Sequence, residues 1–226
     1  MVIGTLNEGS LHSFLKDYYS SENSKVEVSV GKYVVDIISN GTIYEIQTGS
    51  FSGLSNKIQS LIEEYSLVLV YPIAACSIIA KQISKNNKKE TILRKSPKKG
   101  DFLNIINELI YIPKLINHPR FSIEVVLIEE RVNKIYDKNI RRNRGGWRTI
   151  NRELLSIIDT KHIHSTQDLL DIISIDLPSS FDTTQLSIIM KKPLSFTQKL
   201  AYCLCKANVT KVIGKKGNSK IYSRNI

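Results

Sequence analysis

Apolar and polar residues change period several times along this chain, and each change marks an element. Leu11, Phe14, Leu15 and Tyr18 recur at helical spacing, so the segment from Asn7 to Tyr19 reads as an amphipathic helix, with Asn7 as its N-cap and Glu8 in its first turn. From Tyr33 to Gln47 the pattern alternates around Asn40-Gly41, the strongest short-range signal for a tight hairpin. A two-residue loop sets Ser39 against Thr42, Ile38 against Ile43, Asp36 against Glu45 and Val34 against Gln47. Asp36, Glu45 and Gln47 then share one face of the ribbon. A helix from Leu54 to Tyr65 follows, carrying Lys57, and then an apolar strand from Leu67 to Ile73.

The middle of the chain is less regular. A polar turn at Lys85–Glu90 joins Cys76–Ile83 to Thr91–Arg94, which suggests a basic hairpin. Ile105–Leu115 reads as helical until Pro113, Phe121–Glu129 as a strand, and Asn139–Trp147 as a loop dense in Arg and Gly. Beyond it, Ser165–Ile173 starts a capped helix, Thr183–Met190 a second one capped near Asp182, and Ser195–Ala207 a third. That third helix places Phe196, Leu200, Ala201, Leu204 and Cys205 on one stripe. Val209–Ser223 is a hairpin whose tip is Lys215-Lys216-Gly217-Asn218.

Charge narrows the choice of partner. The 226 residues carry a net charge of +11, and the basic residues are clustered. Lys81–Lys99 holds Lys95, Lys98 and Lys99 among eight basic residues against the single Glu90, and Arg141–Arg148 is a second cluster that includes Arg142 and Arg144. From Thr183 to Ile226 there is no acidic residue, while nine lysines and arginines are spread through it. Phosphate neutralisation is the expected use of such a surface.

The hairpin supplies the candidate chemistry. Opposed side chains have Cβ atoms about 4.5–5.5 Å apart, and like charges at that distance are destabilising. Two carboxylates among Val and Ile call for a compensating charge, which a divalent metal would supply; a solvated hairpin face is the alternative. Other chemistries have no support: Cys76, Cys203 and Cys205 lack ligand spacing, and His162 and His164 lack accompanying ligands. Phosphate-binding glycine loops, nucleophile elbows, signal peptides and apolar runs of membrane-spanning length are absent, so a cytoplasmic protein is expected.

The order helix, strand, acidic hairpin, helix, strand, with these residues, resembles the PD-(D/E)XK nuclease superfamily over roughly residues 5 to 75. The resemblance implies an α/β fold, a restriction endonuclease-like mixed sheet flanked by helices. It carries Asp36 onto the first metal-binding acid and Glu45-Ile46-Gln47 onto the acid-x-lysine element, with Asp36, Glu45 and the Ile46 carbonyl holding Mg2+ or Mn2+. Glu8 matches an additional helix glutamate. This chain has Val35 where proline is usual and Gln47 where lysine is usual; Lys57 is the candidate for a lysine relocated to the following helix.

The C-terminal order of helices and basic hairpin resembles a winged helix-turn-helix. Gln198, Lys199, Tyr202 and Lys206 would lie on its recognition helix and Lys215 and Lys216 on its wing. The expected domains are a nuclease-like unit at 1–147 and a DNA-binding unit at 148–226, with Trp147 packed at their junction. The implied function is metal-dependent hydrolysis of phosphodiester bonds, in DNA or alternatively RNA, with a homodimer expected by analogy. The rival is a non-catalytic DNA-binding regulator or defence accessory on a decayed nuclease fold. The whole chain also resembles a family of uncharacterised bacterial proteins, through phrases such as Glu45-Ile46-Gln47-Thr48-Gly49-Ser50-Phe51-Ser52 and Val70-Tyr71-Pro72-Ile73.

Overall fold

Asn40 and Gly41 adopt φ values of 48° and 77°, the left-handed pair that a two-residue hairpin of matched twist requires. In the computed structural model, which describes residues 9–85, 88–137, 139 and 145–225, that turn lies within a large mixed sheet. Strands β1 (Lys25–Val30), β2 (Tyr33–Ser39) and β3 (Thr42–Ile46) form an antiparallel meander. Helix α1 (Ser10–Tyr19) precedes the meander, and α2 (Leu54–Leu61) follows it. Strand β4 (Ser66–Lys85) then pairs in parallel with β3 and, at its distal half, antiparallel with β5 (Lys88–Lys95). A 3-10 turn at Phe102–Ile105 leads into the short α3 (Ile106–Leu109). Strand β6 (Phe121–Tyr136) lies parallel to β4, and β7 (Trp147–Ile163) closes the sheet antiparallel to β6.

The run Leu67-Val68-Leu69-Val70 explains why β4 is central. A strand covered on both faces has no polar side to alternate with. Leu11 and Leu15 of α1 cover one face, over Ile46, Val70, Val126 and Ile128. On the other face, Leu67, Leu69, Ile123 and Val125 join a core with Ile58, Leu61, Ile106 and Leu109. Half of the expected α1 stripe lies outside this packing, since Phe14 is 50% and Tyr18 64% exposed. Polar anchors on the opposite flank set the helix's roll: Lys16 pairs with Glu27 at 2.9 Å and His12 with Asp36 at 3.3 Å.

Strand β7 departs furthest from the expectation. The domain boundary expected at residue 147 falls on its first residue, and the strand continues in the large sheet to Ile163. Three register shifts against β6 each leave one extra residue in β7, namely Ile150, Leu155 and Ile158. Each bulge breaks the two-residue period that would reveal a strand, and bulges also blunt a free sheet edge. The Trp147 indole packs edge-to-face with the Tyr136 ring, centroids 5.8 Å apart, and lies under Lys81 Nζ at 4.4 Å.

The C-terminal elements follow the expected order: α4 (Thr166–Ile173), β8 (Ser180–Phe181), α5 (Thr183–Met190), α6 (Leu194–Lys206), β9 (Thr210–Lys216) and β10 (Ser219–Arg224). Ser165 caps α4 and Asp182 caps α5 through their side chains. The strands form a small sheet in the order β8-β10-β9. Leu200, Ala201 and Leu204 of α6 belong to the same core as Ile105, Ile106 and Leu109, so the two parts share one hydrophobic interior. The whole is a mixed α/β structure with a large mixed sheet flanked by helices. Among the described residues, no helix is long and apolar enough to cross a membrane.

Candidate active site where the hairpin strands part

The β2–β3 ladder runs through Ser39–Thr42, Ile38–Ile43 and Ile37–Tyr44, the register expected from the turn, and then stops. Asp36 and Glu45 are therefore not a ladder pair. Instead the Asp36 carboxylate takes the place of a strand, with Oδ2 accepting from the Ile46 N–H at 2.7 Å. Strand β3 turns its remaining bonds to β4, and the Gln47 N–H donates to the Val70 carbonyl at 2.9 Å. The cleft between the diverging strands holds both carboxylates.

Two residues from other elements close on them. Lys57 of α2 donates from Nζ to Glu45 Oε1, and to the Val34 carbonyl at 2.8 Å. His12 of α1 places Nε2 3.3 Å from Asp36 Oδ2. Glu45 is only 7% exposed, and its Oε2 is buried with no hydrogen-bond partner. Burial first, and then the Asp36 charge, raise the Glu45 carboxyl above its ordinary range, against the opposing pull of Lys57. For Asp36, burial also raises the carboxyl, but the His12 hydrogen bond, the Ile46 N–H and the charges of His12 and Lys57 outweigh it, so it ends lowered. Two neighbouring acids are thus pushed apart in proton affinity, a pattern common at catalytic sites.

The expected site residues are brought together unevenly. Asp36, Glu45 and the Ile46 backbone meet in the cleft, and Lys57 reaches it from α2. The Gln47 side chain turns away and donates to the Ser50 carbonyl at 2.7 Å. Glu8 lies outside the described residues. His12 was not among the expected residues. Its one sequence signal is its place beside Leu11, on the edge of a buried helical stripe.

The first basic cluster approaches the same cleft. Strands β3 and β5 share one edge of β4, since β6 occupies the other. In the gap between them the chain from Ser96 to Gly100 runs beside β4: the Ser96 N–H donates to the Ser77 carbonyl at 2.8 Å and the Gly100 N–H to the Ala74 carbonyl at 2.9 Å. A Cβ on Gly100 would lie 2.6 Å from the Ala74 oxygen, so only glycine allows this approach. Ala74 is four β4 residues from Val70, about 13 Å at the usual strand rise. Lys95, Lys98 and Lys99 are exposed along this segment. Arg142 and Arg144 lie outside the described residues. Lys215 and Lys216 are exposed at the β9–β10 tip, as are Gln198, Tyr202 and Lys206 on α6, whereas Lys199 is half-buried and donates to Asn107 Oδ1 at 2.9 Å.

No solved structure matches this chain. An uncharacterised protein of Treponema pallidum (strain Nichols) is 30% identical over 182 residues, covering 80% of this chain and 72% of that protein. Residues 9–164, which span the large sheet and the whole cleft, match the family described as a domain of unknown function, DUF8091, and the chain belongs to that family.

Proposed function

We propose that the chain is a metal-dependent endonuclease that hydrolyses phosphodiester bonds in DNA, built on a restriction endonuclease-like core with a C-terminal winged helix. The observation that carries this reading is the cleft itself. Two carboxylates from diverging strands meet a lysine from the following helix, and one buried carboxylate oxygen is left without a partner. Burying an unpaired charged oxygen is costly unless a ligand satisfies it.

Hard divalent cations take carboxylate and carbonyl oxygens, so Asp36, Glu45 and the Ile46 carbonyl fit Mg2+ or Mn2+. Such an ion, when bound, would supply positive charge against the phosphate. The side chains do the rest. Lys57 has three N–H donors and spends two, on Glu45 and Val34, leaving one for a phosphate oxygen or the attacking water. His12 and the Ile46 N–H hold Asp36 in one orientation. Water attacks phosphorus and gives up a proton to solvent, the bond to the leaving sugar oxygen breaks and that oxygen takes up a proton, and the Ser96–Gly100 lysines neutralise the flanking phosphates.

The test is cleavage of plasmid, single-stranded, branched and RNA substrates with Mg2+ or Mn2+, beside Asp36→Ala. Cleavage that disappears in the variant, while nucleic-acid binding persists, is the expected result. A second reading, a DNA-binding regulator on a decayed site, draws on Gln47 being turned to Ser50. It draws also on the described residues containing no group of three His, Cys, Asp or Glu placed to hold a metal. Tight, salt-sensitive binding without cleavage under either metal would favour it.

A further inference from the structure

Helix α6 presents Ser195, Gln198, Lys199 and Tyr202 along one face, at the three- and four-residue spacing of a helix. That face forms one wall of a groove of about 520 Å3; the other wall is Ile110 and Tyr111, just after α3. The bond from Lys199 to Asn107, two residues before the end of α3, holds the two walls together. A recognition helix must enter the major groove with its reading face clear of other elements. Here Ile110 and Tyr111 flank that face, so α6 presents one wall of a groove rather than a bare helix surface.

We infer that the α3–α6 groove takes an unpaired nucleobase, stacked between Tyr111 and Tyr202, with its phosphates on the adjoining lysines. This rests on the nucleic-acid reading above and narrows the substrate to one with a single-stranded segment. Tyr111 is 45% and Tyr202 44% exposed, so each ring keeps a large part of its surface outside the core. Aromatic faces of this kind stack bases of any sequence. Lys206 Nζ lies 5.8 Å from the Tyr202 ring centroid, and Lys199 lines the groove beside it. None of the lining residues is acidic, and no acid occurs from Thr183 onward, so the charge complements a phosphate backbone. The Gln198 amide both donates and accepts, as the edge of a base requires.

Fluorescence anisotropy with a labelled single-stranded DNA, the same sequence as RNA, and the DNA duplex tests this, using the full chain, Tyr111→Ala, Tyr202→Ala and Tyr202→Phe. The two alanine variants are expected to lose about tenfold in single-strand affinity, the effect of roughly one lost stacking contact. Tyr202→Phe should keep its affinity, and the duplex should be bound equally by all. Thermal melts of each variant separate a folding defect from a lost contact. A selective loss on either single strand supports the groove. Equal losses on single strand and duplex, or none, overturn it while leaving nucleic-acid binding intact. A wild-type chain that binds none of the three substrates overturns the groove and the nucleic-acid reading together.

Discussion

Glu45 is a buried carboxylate, with one oxygen on Lys57 and the other unpaired. Removing one partner of a buried ion pair typically costs about 3–5 kcal/mol, because the remaining charge is stranded. Lys57 keeps 19% of its side chain exposed, so the effect should be smaller. Lys57→Met is predicted to lower unfolding stability by about 2 kcal/mol in urea titrations at neutral pH. Adding Glu45→Gln should recover most of that loss, since a neutral amide needs no counter-charge. A loss below about 0.5 kcal/mol would mean that water reaches Glu45 freely. The acids were legible in the chain because the Asn-Gly turn ties their register together. Lys57 could be named from its place on the next helix, but nothing local says that its ammonium reaches Glu45, and His12 carried still less signal. The orientation of Gln47 depends on where the Ser50 carbonyl falls, which no periodicity describes.

Caps and turns are the elements most readily decided locally. In α4, Ser165 and Asp168 bond each other's backbone in a capping box. The His164 N–H, helped by the Ser165 hydroxyl and N–H, holds the Asp168 carboxyl below its ordinary value against a smaller desolvation. A lowered folded pKa gives stability that is present above the unfolded value, about 3.9, and is lost as pH falls through the folded one. Asp168→Asn should therefore be less stable than wild type at neutral pH, by about 0.5–1 kcal/mol for a partly exposed cap. The gap should close as the pH drops below about 4, read as urea midpoints across the range. A gap unchanged by pH would show that the charge contributes nothing. Strand β7 is the opposite case: its bulges at Ile150, Leu155 and Ile158 arise from how it wraps against β6, and they erase the alternation a strand would otherwise show.

At the scale of the whole molecule, a net charge of +11 predicts nucleic-acid affinity that falls steeply with salt. Lys215 and Lys216 sit exposed at the β9–β10 tip, so each should contact phosphate rather than base. Replacing either by alanine is expected to reduce the slope of log affinity against log salt by about one, and to weaken all sequences equally. A slope unchanged by both would place the tip away from the nucleic acid. The sequence by itself determined the hairpin turn and its first three pairs, the side-chain caps of α4 and α5, the C-terminal order and the basic clusters. Each follows from neighbours a few residues apart, through φ preference, capping or period. Tertiary structure decided which distant groups meet: His12 and Lys57 at the carboxylates, the Ser96–Gly100 segment beside β4, and Tyr202 across from Tyr111. Those contacts depend on how helices roll and where strands part, and both are set by packing between elements far apart in the chain.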